Sequence, residues 1–154
     1  MPPRLVHEPA LDGLRGVAVL AVLVFHLDRL RGGFLGVDLF FALSGYLITS
    51  LLVVERRTRG GIDLAAFWVR RARRLLPALL ALLVGVAVLL ATLTATADRP
   101  RFRGDALATL GYAANWHRMV APVSYWDIFS QPSPLDHTWS LAIEEQFYLV
   151  WPLV

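Results

Sequence analysis

The stretch from Leu75 to Ala97, LLPALLALLVGVAVLLATLTATA, carries no charged side chain and decides the fold class. As an α-helix rising about 1.5 Å per residue, it can cross a bilayer core of about 30 Å. Upstream, Phe34 to Val54 has spanning length and carries Asp38 as its one formal charge. Leu11 to Leu27 is a shorter apolar stretch that just reaches across the same core. The sequence therefore predicts an all-α, polytopic transmembrane helix bundle.

The composition supports this prediction. Of the 154 residues, 56% are hydrophobic, which is more than one small soluble core requires. The chain has no cysteine, so disulfides, thiolate metal sites and cysteine nucleophiles are excluded. The formal net charge is +3, and every basic side chain is arginine, which suits pairing with phosphates or carboxylates. So small an excess, with apolar spans on both sides of the basic segment, argues against nucleic acid as a partner.

An arginine-rich segment separates the second predicted span from the third. It runs from Glu55 to Arg74 and holds seven arginines against two carboxylates. Short loops of this composition face the cytoplasm, so the N-terminus is expected on the cytoplasmic side of the cell membrane as well. Because the N-terminus lacks the features of a cleaved signal peptide, the first span is expected to remain in the mature protein.

Beyond Ala97 the chain becomes mixed in character. Ala106 to Trp116 is too short and too polar for a span, which favours a re-entrant or interfacial helix. A further helix is predicted from Thr138, with Thr138 or Ser140 as its N-cap. It leads into an apolar run that stops at Val154. We therefore expect three spans and the start of a fourth, one domain over residues 1–154, and a chain that is a fragment of a longer protein.

Arg15 and His26 lie eleven residues apart and return to nearly the same helix face, about 16 Å apart along the axis. Arg15 would extend to cytoplasmic headgroups while His26 sits at the outer interface, or His26 would act as a general base or acyl carrier. Asp38 is costly in hydrocarbon unless it is paired. Its partner is either His26, whose ring it would orient, or Arg29 or a backbone amide.

Four arginines precede the third span: Arg70, Arg71, Arg73 and Arg74. Residues three apart share a helix face, so the first pairs with the third and the second with the fourth. Such clusters set topology or contact anionic lipids, and they also suit the phosphates of a nucleotide-bearing donor such as acyl-CoA. Pro77 is expected in the first turn of the span that follows.

The remaining polar residues give weaker signals. Glu144 and Glu145 are either dipole partners near the start of the last helix or support for a substrate. Ser44 and Gly45 are interpreted as small residues that allow close helix packing, since no G-x-S-x-G elbow surrounds the serine. The other histidines show no metal-ligand spacing, so no metal site is predicted; they are His7, His117 and His137.

Four blocks of sequence together resemble one known family. They are LDGLRGVAVLAVLVFHL from Leu11, GGFLGVDLFFALSGYLI from Gly32, FWVRRARRLLP from Phe67 and HTWSLAIEEQFYLVWPL from His137. In this order they resemble the opening half of acyltransferase family three, the membrane O-acyltransferases of bacterial surface polysaccharides, peptidoglycan and some antibiotics.

The resemblance implies an enzyme that takes an acyl group, expected to be acetyl, from cytoplasmic acyl-CoA and delivers it to a hydroxyl, often of a carbohydrate at the outer face. No permanently bound cofactor is expected. The resemblance makes Arg15 and His26 the essential pair. It matches Asp38 to the family's aspartate, and Arg71 and Arg74 to its paired arginines, with Arg70 adjacent. The rival interpretation is a transporter or assembly subunit in which an Asp/His pair relays protons.

Overall fold

The computed structural model describes residues 8–93, 99–120 and 133–154, and every regular element in these ranges is a helix. The prediction of an all-α fold is confirmed. Three helices are long and apolar enough to cross a membrane: α1 (Pro9–His26), α2 (Leu35–Arg59) and α3 (Leu64–Leu93). The shorter elements are α4 (Arg99–Leu110), α5 (Ala114–Val120), α6 (Thr138–Val150) and a 3₁₀ turn (Trp151–Leu153). The chain is therefore a multi-pass membrane protein, as predicted.

The helices fall into two compact units, Met1–Asp63 and Leu64–Val154. The first unit contains the hairpin of α1 and α2, and the second contains the remaining helices. The single domain over residues 1–154 stays a prediction.

A Schellman motif ends α1 directly after His26. The N–H of Arg29 donates to the carbonyl of Val24 (3.1 Å), and the N–H of Asp28 donates to that of Phe25 (2.9 Å). Asp28 has a φ of 56°, the left-handed conformation that this motif requires and that aspartate tolerates better than most side chains. The motif satisfies the last carbonyls of α1 and fixes His26 in its final turn.

Two glycines let α1 and α2 approach each other closely. A Cβ built on Gly36 would lie 2.5 Å from the carbonyl oxygen of Ala18, and one built on Gly33 would collide with the carbonyl of Ala21. Backbones meet this closely in membrane helices where small residues face each other. In the part of the chain that the structure describes, a Cβ added at Gly45 meets nothing within 4 Å, so the close packing seen here does not use Gly45. Ser44, the other residue in that prediction, is buried.

In the second unit, α3 begins at Leu64 and so includes the arginine cluster as well as the apolar stretch. Pro77 therefore lies inside the helix, and its predicted place in a first turn is wrong. The sequence FWVRRARR contains no glycine or proline, and most of its residues favour a helix. The helix therefore extends from the apolar segment toward the N-terminus through these residues. The same helix thus holds both the four arginines and the spanning stretch.

The stretch Ala106 to Trp116, predicted as one short helix, is split between α4 and α5. A second Schellman motif ends α4, with Ala113 N–H donating to the Ala108 carbonyl (2.8 Å) and Tyr112 N–H to that of Thr109 (3.1 Å). Tyr112 has a φ of 51°, which is uncommon for a bulky side chain. The chain therefore turns sharply at Tyr112, and this turn positions the ring used below.

Helix α6 begins at the predicted residue but without the predicted cap. His137 is the N-cap residue, and no side chain caps the helix. The Thr138 hydroxyl instead donates to the Leu135 carbonyl (2.7 Å), and the Ser140 hydroxyl donates to the carbonyl of His137 (3.2 Å). Both hydroxyls thus serve the preceding turn rather than the first N–H groups of the helix.

Candidate functional site

His26 is held in one tautomer by the helix that carries it. Its Nδ1 lies 2.8 Å from the carbonyl oxygen of Val22, four residues earlier in α1. A carbonyl oxygen can only accept, so Nδ1 carries the proton and the lone pair of the neutral ring is on Nε2. The ring packs edge-on against Phe25, with centroids 5.4 Å apart, and the residue is exposed. This arrangement presents a basic nitrogen on the surface of the hairpin.

The other two predicted residues of the first unit do not meet His26. Asp38 is exposed and follows Gly36 by two residues, which places it about 200° further round α2, away from the face that packs on α1. Among the described residues no hydrogen bond or ion pair joins Asp38 to His26. Arg15 is partly exposed, with a guanidinium nitrogen 3.9 Å from Asp12, one turn earlier. It is fixed within α1 rather than across the hairpin.

In the second unit, Arg71 is the clustered arginine whose guanidinium contacts α6. Its Nη2 lies 3.4 Å from Oε1 of Glu145 on α6, and its guanidinium carbon is 3.3 Å from the centre of the Tyr148 ring. The Nε of Arg71 is buried and has no hydrogen-bond partner among the described residues. Arg70 is half-buried, whereas Arg74 is exposed. The structure therefore brings Arg71 together with Glu145 and leaves Arg74 on the surface.

The dipole interpretation of Glu144 and Glu145 is wrong. Both lie in the middle of α6, and its first turn contains no acidic residue. The Tyr148 hydroxyl donates to Oε1 of Glu144, while the indole N–H of Trp68 donates to the Tyr148 carbonyl (3.3 Å). The two carboxylates thus belong to a polar cluster of Trp68, Arg71, Glu144, Glu145 and Tyr148, called the Arg71 cluster below.

A cavity of about 340 Å³ opens beside the Arg71 cluster. Its wall is largely apolar in surface. The residues with polar side-chain groups are Trp68, Arg71, Tyr112, Glu145, Gln146 and Tyr148, and the others are Ala72, Leu76, Gly111 and Leu149. Glu145 and Tyr112 lie outside the three membrane-competent helices. Burial raises the pKa of Glu145, against the opposing effect of Arg71, and burial together with the Glu145 charge raises the pKa of Tyr112. Both groups are therefore held toward their neutral forms.

Gln146 joins α6 to the turn that carries Tyr112, and it was not among the candidate residues predicted from the sequence. Its Nε2 donates to the Tyr112 carbonyl (2.8 Å) and to Oδ1 of Asn115 (3.0 Å). Its Oε1 accepts from Nδ2 of Asn115 (3.1 Å) and from the indole of Trp116 (3.3 Å). One amide thus makes four hydrogen bonds that hold the wall of the cavity. A glutamine beside two glutamates was the available signal, but its partners are distant in sequence.

His117 has a carboxylate partner. Nε2 of His117 on α5 lies 3.4 Å from Oδ1 of Asp105 on α4, and Arg118 is 3.4 Å from Asp136. The other carboxylate oxygen of Asp105 is buried without a hydrogen-bond partner. Among the described residues, no group of three histidines or carboxylates lies close enough to hold a metal ion.

These features define a multi-pass membrane protein with a basic imidazole on a helical hairpin and, in its second unit, the Arg71 cluster beside a cavity. Comparison with known families is consistent with that description: the profile of the acyltransferase domain, family three, matches residues 8–154. The chain belongs to this acyltransferase family, as the four sequence blocks indicated.

Three bacterial proteins with assigned names are similar to this chain. The peptidoglycan O-acetyltransferase OatA of Listeria monocytogenes is 48% identical over 148 residues, covering 95% of this chain and 24% of that protein. A Staphylococcus aureus protein provisionally named an O-acetyltransferase is 50% identical over 149 residues, covering 95% of the chain and 24% of the relative. YrhL of Bacillus subtilis, provisionally named a peptidoglycan O-acetyltransferase, is 48% identical over 150 residues, covering 94% and 23%. The chain spans about a quarter of their length, and no solved structure matches it significantly.

Proposed function

We propose that this chain forms part of a membrane O-acetyltransferase that moves an acetyl group from acetyl-CoA to a hydroxyl of a carbohydrate. Membership of the acyltransferase family supports the reaction class. The names of two relatives suggest peptidoglycan as the acceptor. Within the chain, the observation that carries the proposal is the fixed tautomer of His26, because a basic Nε2 is what deprotonation of a hydroxyl requires.

In the proposed reaction, Nε2 of His26 takes the proton of the acceptor hydroxyl as its oxygen attacks the thioester carbonyl. The bond between the carbonyl carbon and sulfur breaks, and the leaving thiolate takes the proton back from the imidazolium. The bond from Nδ1 to the Val22 carbonyl supports this role, since it keeps the ring oriented and stabilises the proton on the far nitrogen. An ester and free CoA are the products.

We assign smaller roles to Asp38 and Arg15. Because Asp38 lies about 200° round α2 from the packed face, we propose that its charge supports the imidazolium through the local field rather than through a direct bond. A carboxylate in a membrane-competent helix is expensive, which supports a functional use. Arg15 lies about 16 Å from His26 along α1 and is proposed to contact the donor.

The proposed donor site uses the arginines at the start of α3. The exposed guanidinium of Arg74 suits a first contact with phosphate, and Arg71 lies in the wall of the cavity. Arg70 is adjacent and half-buried. The apolar wall of the cavity suits the arm that joins the phosphates to the thioester.

We further propose that the arginine-rich segment from Glu55 to Arg74 and the N-terminus face the cytoplasm. Seven arginines in a short segment between membrane-competent helices support this orientation. A topology reporter inserted after Gly60 of the intact protein should be active only on the cytoplasmic side. Activity on the outer side would contradict the orientation.

The need for an acyl donor distinguishes the proposed O-acetyltransferase from the rival interpretation, a transporter with an Asp/His relay. Membrane vesicles containing the intact protein should transfer labelled acetyl groups from acetyl-CoA to added peptidoglycan fragments, and vesicles without it should not. Transport needs no acyl donor. Movement of a solute that proceeds equally well without acetyl-CoA, with no labelled ester formed, would favour the transporter.

A further inference from the structure

Arg71 has hydrogen-bonding capacity that its protein contacts do not use. Its Nη2 reaches one oxygen of Glu145 at 3.4 Å, and its buried Nε has no hydrogen-bond partner within residues 8–93, 99–120 and 133–154. Charge-assisted N–H···O bonds are usually about 2.7–2.9 Å long, and guanidinium prefers to bind carboxylate or phosphate through two parallel bonds. The pair is therefore longer and less complete than arginine commonly makes with its preferred ligands.

Glu145 is also poorly suited to remain charged where it is. Its side chain is 14% exposed, and burial raises its pKa, with the neighbouring charge of Glu144 acting in the same direction. Arg71 lowers the pKa but does not outweigh burial. If another anion took Arg71, Glu145 could accept a proton rather than remain an isolated buried charge. Its release would therefore cost less than the loss of an ordinary buried ion pair.

The cavity provides room for such an anion. Its volume of about 340 Å³ lies within the range of small-molecule sites, and both Arg71 and Glu145 are in its wall. The face of the Arg71 guanidinium is fixed on the Tyr148 ring, so the cation stays in place while the partner in its plane changes. The largely apolar wall next to it suits a ligand that carries a phosphate on an apolar arm.

We propose that Glu145 is an internal anion that occupies Arg71 until a phosphate of the donor displaces it. This inference rests on the proposed use of acetyl-CoA and adds a competitor to its binding site. Displacement and a permanent structural ion pair predict opposite changes in donor affinity when the carboxylate is removed. Removing the carboxylate should strengthen donor binding, whereas removing one half of a structural pair should weaken it.

The test is equilibrium binding of coenzyme A to the intact protein in nanodiscs of zwitterionic lipid. Glu145→Gln keeps the shape of the side chain and removes its charge, and we expect binding at least about fivefold tighter, the lower end of typical coupling between sites. Glu145→Asp keeps the charge but shortens its reach to Arg71, so a smaller gain is expected. Asp136→Asn is the control, since it removes the charge of another carboxylate of this unit, one that pairs with Arg118 outside the Arg71 cluster, and the affinity should change less than twofold.

Arg71→Ala distinguishes failure of this inference from failure of the proposed donor site. If Arg71→Ala leaves coenzyme A affinity unchanged, the donor site itself is wrong. If Arg71→Ala weakens binding but neither Glu145 variant tightens it, the donor site stands and displacement is wrong. Nanodiscs containing phosphatidylglycerol test the other source of phosphate. Loss of coenzyme A affinity there, larger in Glu145→Gln than in wild type, would assign Arg71 to lipid headgroups and overturn the inference.

Discussion

The hairpin of α1 and α2 and the cluster of α3 and α6 use polar side chains in contrasting ways. In the hairpin, the helices meet through glycine and alanine backbones, and His26 and Asp38 stay on exposed surface. In the second unit, the helices meet through polar side chains, and Arg71 and Glu145 are largely enclosed. Substituting the polar residues of the hairpin should therefore change chemistry with little effect on folding, whereas substitutions in the second unit should change stability or donor binding.

The largest effect on stability is expected at Gly36, where α1 and α2 pack too closely to admit a side chain. Gly36→Ala places a Cβ 2.5 Å from the backbone carbonyl of Ala18, which cannot move without shifting α1. We expect a loss of about 1–3 kcal/mol, as for other overpacked sites, measured as lowered thermal stability of the purified protein in detergent. The matched control is Gly45→Ala in the same helix, where nothing lies within 4 Å and alanine should be neutral or stabilising. Equal destabilisation by the two would show that the helices do not meet at Gly36.

A smaller effect on stability is expected in the second unit, where hydrogen bonds of Gln146 join α6 to the Tyr112 turn. Gln146→Ala removes four hydrogen bonds that hold the Tyr112 turn and should cost about 1–2 kcal/mol, because the groups left behind are only partly buried. Asn115→Ala removes two of the four and should cost less. The measurement is thermal unfolding of both variants beside wild type. A Gln146→Ala variant as stable as wild type would show that the turn is held by packing alone.

The parts of the fold that the sequence predicted are those set by local composition. Apolar stretches of about spanning length with few or no charges predicted α1, α2 and the spanning part of α3, because a helix that crosses hydrocarbon must be long and largely uncharged. The start of α3 was missed by eleven residues, since arginine is a good helix former and does not mark a boundary. Pro77 was a misleading signal, because membrane helices tolerate an interior proline.

The parts of the site that the sequence missed depend on contacts between distant residues. Arg71 and Glu145 were both identified as candidates, but their pairing joins residues 74 positions apart. The close packing at Gly33 and Gly36 was assigned instead to Gly45, since glycines in a helix look alike until the neighbouring helix is placed. Tyr112 was not identified at all. Its backbone is left-handed, and a bulky side chain such as tyrosine does not predict that conformation.

His26 is the hairpin residue whose substitution tests most directly whether the hairpin serves chemistry rather than stability or donor binding. In the intact protein, His26→Gln keeps a polar side chain but removes the base, so acetyl transfer should fall by about 100-fold or more. Asp38→Asn should lower the rate less, because the imidazole remains. The decisive measurement is the transfer rate of His26→Gln, taken together with its coenzyme A affinity and thermal stability. We expect loss of transfer with coenzyme A affinity and thermal stability unchanged. Transfer at close to the wild-type rate by a normally inserted His26→Gln protein would contradict it.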